Sequence, residues 1–548
     1  MGSGHILVYA FDVFMQLYEA EGQSPRTAAE LILENNLFGL DIDQRAFQLA
    51  YFALMMKGRQ YSRRILSKQL RPNIYAVPNN SEIGEAELQL VQMQFNNQKK
   101  AQQDLLTLVE GFKNGAELGS LIKFEGLDFE NLKSGLNNTN ISFFEQSIKE
   151  MILVGELLQQ QYEIGITNPP YMGSSGMDKI LSGYVKKIYP DSKSDLFGVF
   201  IERLEEMIKS TGYYAMITQH AWMFLSSFEK LRIKINQQTI INMAHLGTRA
   251  FEEIGGEVVQ TTSFVLTPKK YKHYNASYLR LVNFENHKLK EIKALEAITD
   301  GLEDYLFKTA QDNFQKIPGQ PISYWVSESV VNDFSIDDTI QKLGDARQGL
   351  IPGNTNVFLR LWHEVSIDKV GFNNHKYSDI LRDQKKWFPY NKGGAFRRWY
   401  GNLEYLINME NNGYDIQFSG LNNNYRLRES RLYFKEVLTW SKISSGIFSM
   451  RYLPEGTIFD IAGCSVFNVE DKYYVLGAMN SKSMSYLLGV ISPTLNYEVD
   501  HINKLPIIFS TEETKKSVRT FVKSNISNSI LDWNSFETSW EFKKHPFI

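Results

Sequence analysis

The stretch Tyr162-Glu163-Ile164-Gly165-Ile166-Thr167-Asn168-Pro169-Pro170-Tyr171 constrains this chain more than any other. Tyr162 to Thr167 reads as a short strand that stops at a proline pair. A residue before proline is pushed out of the helical region, so Asn168 and Pro169 are held extended. The Asn168 side chain and the Pro169 carbonyl then leave the strand's end on one side, with the Tyr171 ring just beyond. In open α/β sheets, ligands bind outside the carboxyl ends of the strands. The plainer alternative is a strand-to-loop turn, because Asn-Pro and Pro-Pro both signal turns.

Such a group suits methyl transfer to an amino nitrogen conjugated with a ring or a carbonyl. That nitrogen is a poor nucleophile because its lone pair is delocalised. Two acceptors, the Asn168 amide oxygen and the Pro169 carbonyl, can hold both amino hydrogens and draw the nitrogen towards tetrahedral geometry. This is catalysis by positioning and electrostatics, without a strong base. Tyr171 is placed to stack on a base extruded from its duplex.

At 548 residues the chain has room for about two to four domains with real cores. Its net charge of −3 gives no global nucleic-acid signature, so any DNA contact must come from a local patch. The single cysteine, Cys464, excludes an internal disulfide framework and a cysteine-cluster metal site, and fits a reducing cytoplasm. The nine histidines show no metal-binding spacing, so no metal is expected. No run of about 18 apolar residues is present, and a membrane-free protein is expected.

The chain opens on Met1-Gly2-Ser3-Gly4-His5, followed by an apolar helical run from Ile6 to Tyr18. Glycines entering a helix permit a tight turn and close approach of backbone to ligand. Leu37 to Asp43 reads as a strand ending in acid, followed by a helix from Gln44 to about Lys57. A carboxylate at a strand's end is the usual acceptor for ribose hydroxyls. Asp41 is the candidate for that role, and Asp43 reads as the cap of the following helix. Residues 83–113 read as a long packing helix within a helical insertion at about 60–160. Gly119-Ser120-Leu121-Ile122 is a candidate cofactor-adenine loop, and another helix from Phe143 to Gln160 leads into the central strand.

Asp195-Leu196-Phe197 starts an amphipathic helix, Gly212 to Thr218 is a buried strand, and Phe228 to Asn236 a helix. Ile240 to Leu246 and Thr262 to Leu266 supply the last strands, with Phe251 and Gly255-Gly256 between them. The alternation of helix and strand to about residue 268 argues a doubly wound sheet. Beyond Lys270 the texture changes to short mixed segments, which places a domain boundary at 272/273. Residues 375–400 hold seven Lys/Arg against Asp379 and Asp383, a balance of +5. Trp387, Phe388, Tyr390, Phe396, Trp399 and Tyr400 are interleaved with them. Cations beside rings are what nucleic-acid binding asks for, and Lys385, Lys386, Lys392, Arg397, Arg398 and Trp399 are the candidates. The competing reading is a solvated loop anchored by its aromatics.

Asn168-Pro169-Pro170-Tyr171, with Gly2-Ser3-Gly4 upstream and Asp195-Leu196-Phe197-Gly198 downstream, resembles the amino-methyltransferases that modify adenine in DNA. More narrowly, the chain is similar to the adenine-specific methyltransferases of BREX phage-defence systems, the PglX family. The likeness runs through Tyr171-Met172-Gly173, Ile217 to Trp222, Phe251 to Thr261, Trp387 to Gly394, Thr439 to Ser444, Asp460 to Phe467 and Ser492 to Tyr497. It implies a Rossmann-like methyltransferase sheet over 1–272 and an α+β target-recognition domain over 273–548. S-adenosylmethionine is the implied donor, with Gly2, Ser3 and Gly4 at its methionine end, Asp41 on its ribose and Ser120 near its adenine. Asn168 and Pro169 would grip the target amino group, with Pro170 beside them in the catalytic turn, while Tyr171 and Phe251 sandwich the flipped adenine. Double-stranded DNA and other defence proteins are the implied partners.

Two departures from the family pattern set further expectations. The acidic residue and proline that normally precede Gly-Ser-Gly are missing, so the sheet is expected to lack its first strand and to bind cofactor weakly. The chain also reads as a fragment of a longer protein. Two other readings stand beside the leading one: methylation of a glutamine amide in protein, and a recognition or scaffold fragment without catalysis.

Overall fold

The computed structural model describes residues 1–68, 70–79, 88, 98–136, 143–251, 259–301, 304–421, 424–444, 447–492 and 496–548. The chain divides into two compact units, Met1–Gln311 and Asp312–Ile548.

In the first unit, the apolar run after Gly4 forms the helix His5–Ala20, which buries Leu7, Phe11 and Met15. These pack with Leu33, Leu54 and Ile74 into one core cluster. Phe38–Asp41 (β1) and Asn73–Ala76 (β2) pair in parallel. Between them runs the helix Gln44–Tyr61, capped by Asp43, whose carboxylate accepts the Arg45 N–H. Of the helix expected over 83–113, Lys99–Gly111 is described, while 83–87 and 89–97 lie outside the described residues. It packs against the helix Phe143–Gln159.

The main sheet has six strands: Tyr162–Thr167 (β3), Ile208–Gln219 (β4), Thr239–Gly247 (β5), Thr261–Thr267 (β6), Asn275–Arg280 (β7) and Leu306–Ala310 (β8). Their order is β3-β4-β6-β5-β7-β8. β3 runs parallel to β4, and β6 is antiparallel to both β4 and β5. β3, β4 and β5 therefore point the same way and present their carboxyl ends along one edge. The sheet is mixed rather than uniformly doubly wound, because β6 runs antiparallel to both of its neighbours. It also continues past residue 272, since β7 hydrogen-bonds to β5 and β8 to β7. The change of texture at Lys270 marks the start of these last strands, and strand pairing carries the unit on to Gln311.

Gly165 in β3 has a packing reason. A Cβ there would meet Leu204 at 2.8 Å and Ile208 at 2.7 Å, so the helix Leu196–Glu206 can lie directly on the strand. Among the described residues, β1 pairs only with β2, and β3 only with β4. The Phe38 and Tyr162 rings, at the leading ends of β1 and β3, pack edge to face at 5.4 Å. No described strand lies between the two, and Ile164 and Ile166 stay 59% and 50% exposed.

The second unit is α+β. Leu359–Leu361 (β10), Trp387–Asn391 (β11), Tyr405–Asn408 (β12) and Ile458–Phe459 (β15) form one sheet, ordered β10-β12-β11-β15. Asp345–Arg347 (β9), Val437–Ser441 (β13), Met450–Leu453 (β14) and Gly463–Phe467 (β16) form the other, ordered β14-β13-β16-β9. The helices Lys472–Met479, Lys482–Ile491 and Glu512–Asn534 share a core with the second sheet through Trp440, Val475 and Val522.

Candidate active site and nucleic-acid surface

β3 ends at Thr167, paired with Met216, so the proline pair leaves the sheet beside the carboxyl end of β4. Asn168 is exposed and Pro169 buried. Neither the Asn168 side chain nor the Pro169 carbonyl meets a hydrogen-bond donor among the described residues. Two acceptors are thus left free at a strand's end. Tyr171 is half-buried, its hydroxyl donating to the Ile217 carbonyl at 3.4 Å and its ring edge-on to Phe197 at 6.2 Å. Burial pushes its phenol up to about 12, so Tyr171 presents a neutral ring.

The segment after Tyr171 is fastened by Asp195. That carboxylate caps the helix Leu196–Glu206 through the Phe197 N–H (3.3 Å) and also accepts the Met172 N–H (3.0 Å). The Leu196 N–H returns a bond to the Met172 carbonyl at 3.0 Å, and Ser174 N–H donates to Ser194. Burial raises the Asp195 pKa, opposed by the N–H groups of Phe197 and Met172. Asp195→Ala should remove a cap worth about 1 kcal/mol and release Met172. In full-length protein we expect impaired turnover with an almost unchanged melting temperature, and Asp195→Asn, which still caps, should restore much of it. Equal activity of the alanine variant and the wild type would show that Asp195 only caps.

The cofactor candidates also come together. Gly2 is left-handed (φ 57) and its N–H donates to Asp41 at 2.8 Å. The other Asp41 oxygen accepts from Asp43 N–H at 3.0 Å. Gly2 has open space around it, whereas a Cβ on Gly4 (φ 92) would meet the Ala50 Cα at 2.9 Å. Gly4 therefore lets two helices touch, which is a packing reason rather than a ligand reason. Ser3 lies 3.5 Å from the His5 ring through its hydroxyl. Gly119 sits against Ile42, so the 119–121 turn adjoins the end of β1.

Arg203 gave no signal in the sequence beyond a charge in an amphipathic helix. Its side chain is 6% exposed, donating to the carbonyls of Ser120 (2.9 Å), Ile122 (2.8 Å) and Leu158 (3.0 Å). It ties the Ser120 turn to the helix whose first residue is clamped by Asp195. His220 and His245, at the ends of β4 and β5, were likewise missed. Their Nδ1 and Nε2 atoms lie 2.8 Å apart, and burial lowers their pKa values to about 4 and about 3, so both are neutral at physiological pH. Phe251 is half-buried four residues beyond β5, while Gly255 and Gly256 lie outside the described residues.

In the second unit the basic stretch sorts itself. Trp387, Phe388 and Tyr390 are buried in β11 and belong to the core, and Trp399 and Tyr400 are half-buried. Lys385 donates to the Asp368 carbonyl at 2.6 Å and Lys386 pairs with Glu410 at 3.1 Å. Lys392 lies over the Tyr405 ring at 4.5 Å. Arg397 pairs with Asp532 at 3.4 Å and stacks on Trp533 at 4.8 Å. Of the six rings, Phe396 alone is exposed, with Arg398 over it at 5.5 Å.

Residues 35–251 match the Eco57I restriction-modification methylase family. The chain is 46% identical over 568 residues to the adenine-specific methyltransferase PglX of Lacticaseibacillus casei (strain Zhang), covering 99% of this chain and 46% of that protein. It is 38% identical over 584 residues to the adenine-specific methyltransferase BrxX of Escherichia coli O9:H4 (strain HS), covering 100% of this chain and 46% of that protein. The chain thus spans about half the length of the curated relatives it matches. Among solved structures, the type IIL restriction-modification enzyme MmeI in complex with DNA aligns with TM-score 0.51 at 11% identity, covering 98% of this chain and 70% of that one. The ATP-dependent type ISP enzyme LlaBIII bound to DNA aligns with TM-score 0.54 at 10% identity, covering 96% and 36%. These two likenesses concern the fold of the chain alone. By sequence the chain is similar along its whole length to the PglX-type adenine-specific methyltransferases, and over residues 35–251 to the Eco57I restriction-modification methylases.

Proposed function

We propose that this chain carries the methylation and recognition halves of a site-specific DNA methyltransferase acting on the exocyclic amino group of a flipped adenine, in a BREX-type phage-defence system. The observation that carries this reading is the pair of free acceptors, Asn168 and Pro169, beside the neutral Tyr171 ring at the carboxyl edge of the sheet. Asn168 and the Pro169 carbonyl hold the amino hydrogens, Pro170 fixes the turn, and Tyr171 and Phe251 stack on the base. S-adenosylmethionine supplies the electrophilic methyl group. Gly2, with its open surroundings, and Ser3 fit its methionine end, the half-buried Asp41 carboxylate its ribose and Ser120 its adenine.

Double-stranded DNA is the proposed partner, supported by the cations of the second unit and by the DNA-bound state of the two structural neighbours. Other defence proteins are proposed as further partners. Among the described residues, no helix is long and apolar enough to cross a membrane. Methylation of a protein glutamine amide is the second reading, since the same turn could hold an amide nitrogen. The half-buried cations and the exposed Phe396 ring of the second unit favour DNA, because a peptide amide needs no extruded base.

Sequencing that reports modified bases, in cells with and without the full-length gene, tests the assignment. Adenine methylation at one recurrent sequence, lost with the gene, is the expected result. Unchanged DNA with a newly methylated glutamine in protein would overturn it in favour of the second reading, and no methylation of either kind would leave a binding fragment.

A further inference from the structure

The loop joining β11 to β12 is built at a conformational cost. Gly393, Gly394, Trp399, Gly401 and Asn402 all have positive φ, at 81°, 143°, 73°, 119° and 61°. Two of the five are not glycine, and such backbone persists only where the surroundings over-determine it. The surroundings do so here. Gly394 N–H donates to Ser441 Oγ at 3.0 Å, and that hydroxyl donates back to the Gly394 carbonyl at 2.9 Å. Asn402 Nδ2 donates to the Ala395 carbonyl at 2.8 Å. Trp399 N–H donates to Met450 at 3.1 Å, and Tyr452 N–H to Trp399 at 2.8 Å.

Beneath the loop lies Arg451, which is fully buried. Among the described residues its guanidinium reaches only Ser441 Oγ at 3.3 Å and the Arg397 carbonyl at 3.5 Å, and its Nε has no partner. No carboxylate among the described residues pairs with it, so a buried positive charge stands uncompensated behind the loop. The tip, Gly394-Ala395-Phe396, faces solvent, with the Phe396 ring 48% exposed and Arg398 against it.

We propose that Phe396 is the base-contacting residue of the second unit, its ring lying on a base face of DNA while Arg398 and Lys392 take the neighbouring phosphates. The inference rests on the DNA reading given above. A pre-ordered aromatic tip loses little freedom on binding, and a positive charge fixed behind it draws a polyanion. DNA offers both the phosphates and, between them, apolar base faces. An acidic protein surface would match the charge but gives the ring nothing to stack on.

Fluorescence anisotropy with the full-length protein and a labelled duplex containing the methylated sequence, over a series of salt concentrations, tests it. Phe396→Ala should weaken binding by about 5- to 150-fold, the range for losing one stacked base, with the salt slope unchanged. Phe396→Trp should bind within a few-fold of wild type. Arg398→Glu should flatten the salt slope. Wild-type protein that binds no duplex at any salt concentration would remove both the DNA reading and this proposal. Salt-sensitive binding by the wild type, with Phe396→Ala indistinguishable from it, would overturn the proposal alone. So would a Phe396→Ala variant whose loss came with a changed slope, because the ring would then act only by placing cations.

Discussion

Asn168→Ala should abolish methylation by the full-length protein while leaving its melting temperature and DNA affinity close to wild type. Asn168 is exposed and its side chain bonds to nothing among the described residues, so the fold loses no contact when it is shortened. What disappears is one of the two acceptors proposed to hold the target nitrogen. By analogy with the removal of a single preorganised group from an oxyanion hole, turnover should fall on the order of 10²–10³-fold, about 3–4 kcal/mol in the barrier. The loss should appear in kcat rather than in KM for DNA, because the acceptor matters most as the amino nitrogen becomes tetrahedral. Methylation at near wild-type rate would show that the proline-flanked turn is only a turn.

Replacing Arg203 with methionine should have the opposite profile, with stability lost first. The substitution keeps an unbranched chain of similar reach but strips the donors from the buried carbonyls of Ile122 and Leu158 and the half-buried carbonyl of Ser120. Each buried acceptor left without a partner costs about 1–3 kcal/mol, so a loss of at least about 3 kcal/mol is expected. For a unit spanning Met1–Gln311 that corresponds to a melting temperature lower by roughly 5 °C. Because Arg203 holds the Ser120 turn, affinity for the methyl donor should fall in protein that remains folded, whereas Asn168→Ala should leave it alone. Calorimetric melting and donor titration of both variants separate the two roles. A melting temperature within a degree or two of wild type would mean that water reaches those carbonyls and that the Arg203 strut is dispensable.

Legibility in the sequence followed the range of the forces involved. Local rules placed several elements of the first unit within a residue or two. The strand Tyr162–Thr167 was bounded by the prolines that follow it, and the cap at Asp43 by the helix it begins. The Asn168–Tyr171 turn was readable for the same reason: two adjacent X-Pro steps fix the backbone with no help from the rest of the chain. Residues 83–113 and the 272/273 boundary were less legible, because composition changes at Lys270 while hydrogen bonding between strands runs on to Ala310.

The amino-acid sequence by itself determined where the chain must turn and which family it resembles. Tertiary structure alone decided which charges and rings remain available. Residues 385–400 read as an even mixture of cations and aromatics, yet packing sends Trp387, Phe388 and Tyr390 inward and pairs Lys386 and Arg397 with Glu410 and Asp532. Arg203, Arg451 and the His220–His245 pair were silent in the sequence, because an isolated arginine or histidine is ordinarily a surface group. Only the contacts made by burial, between residues as far apart as Ser120 and Arg203, turn them into struts. A charge taken out of water must find its donors and acceptors nearby in space, and nearness in space is what a linear sequence does not state.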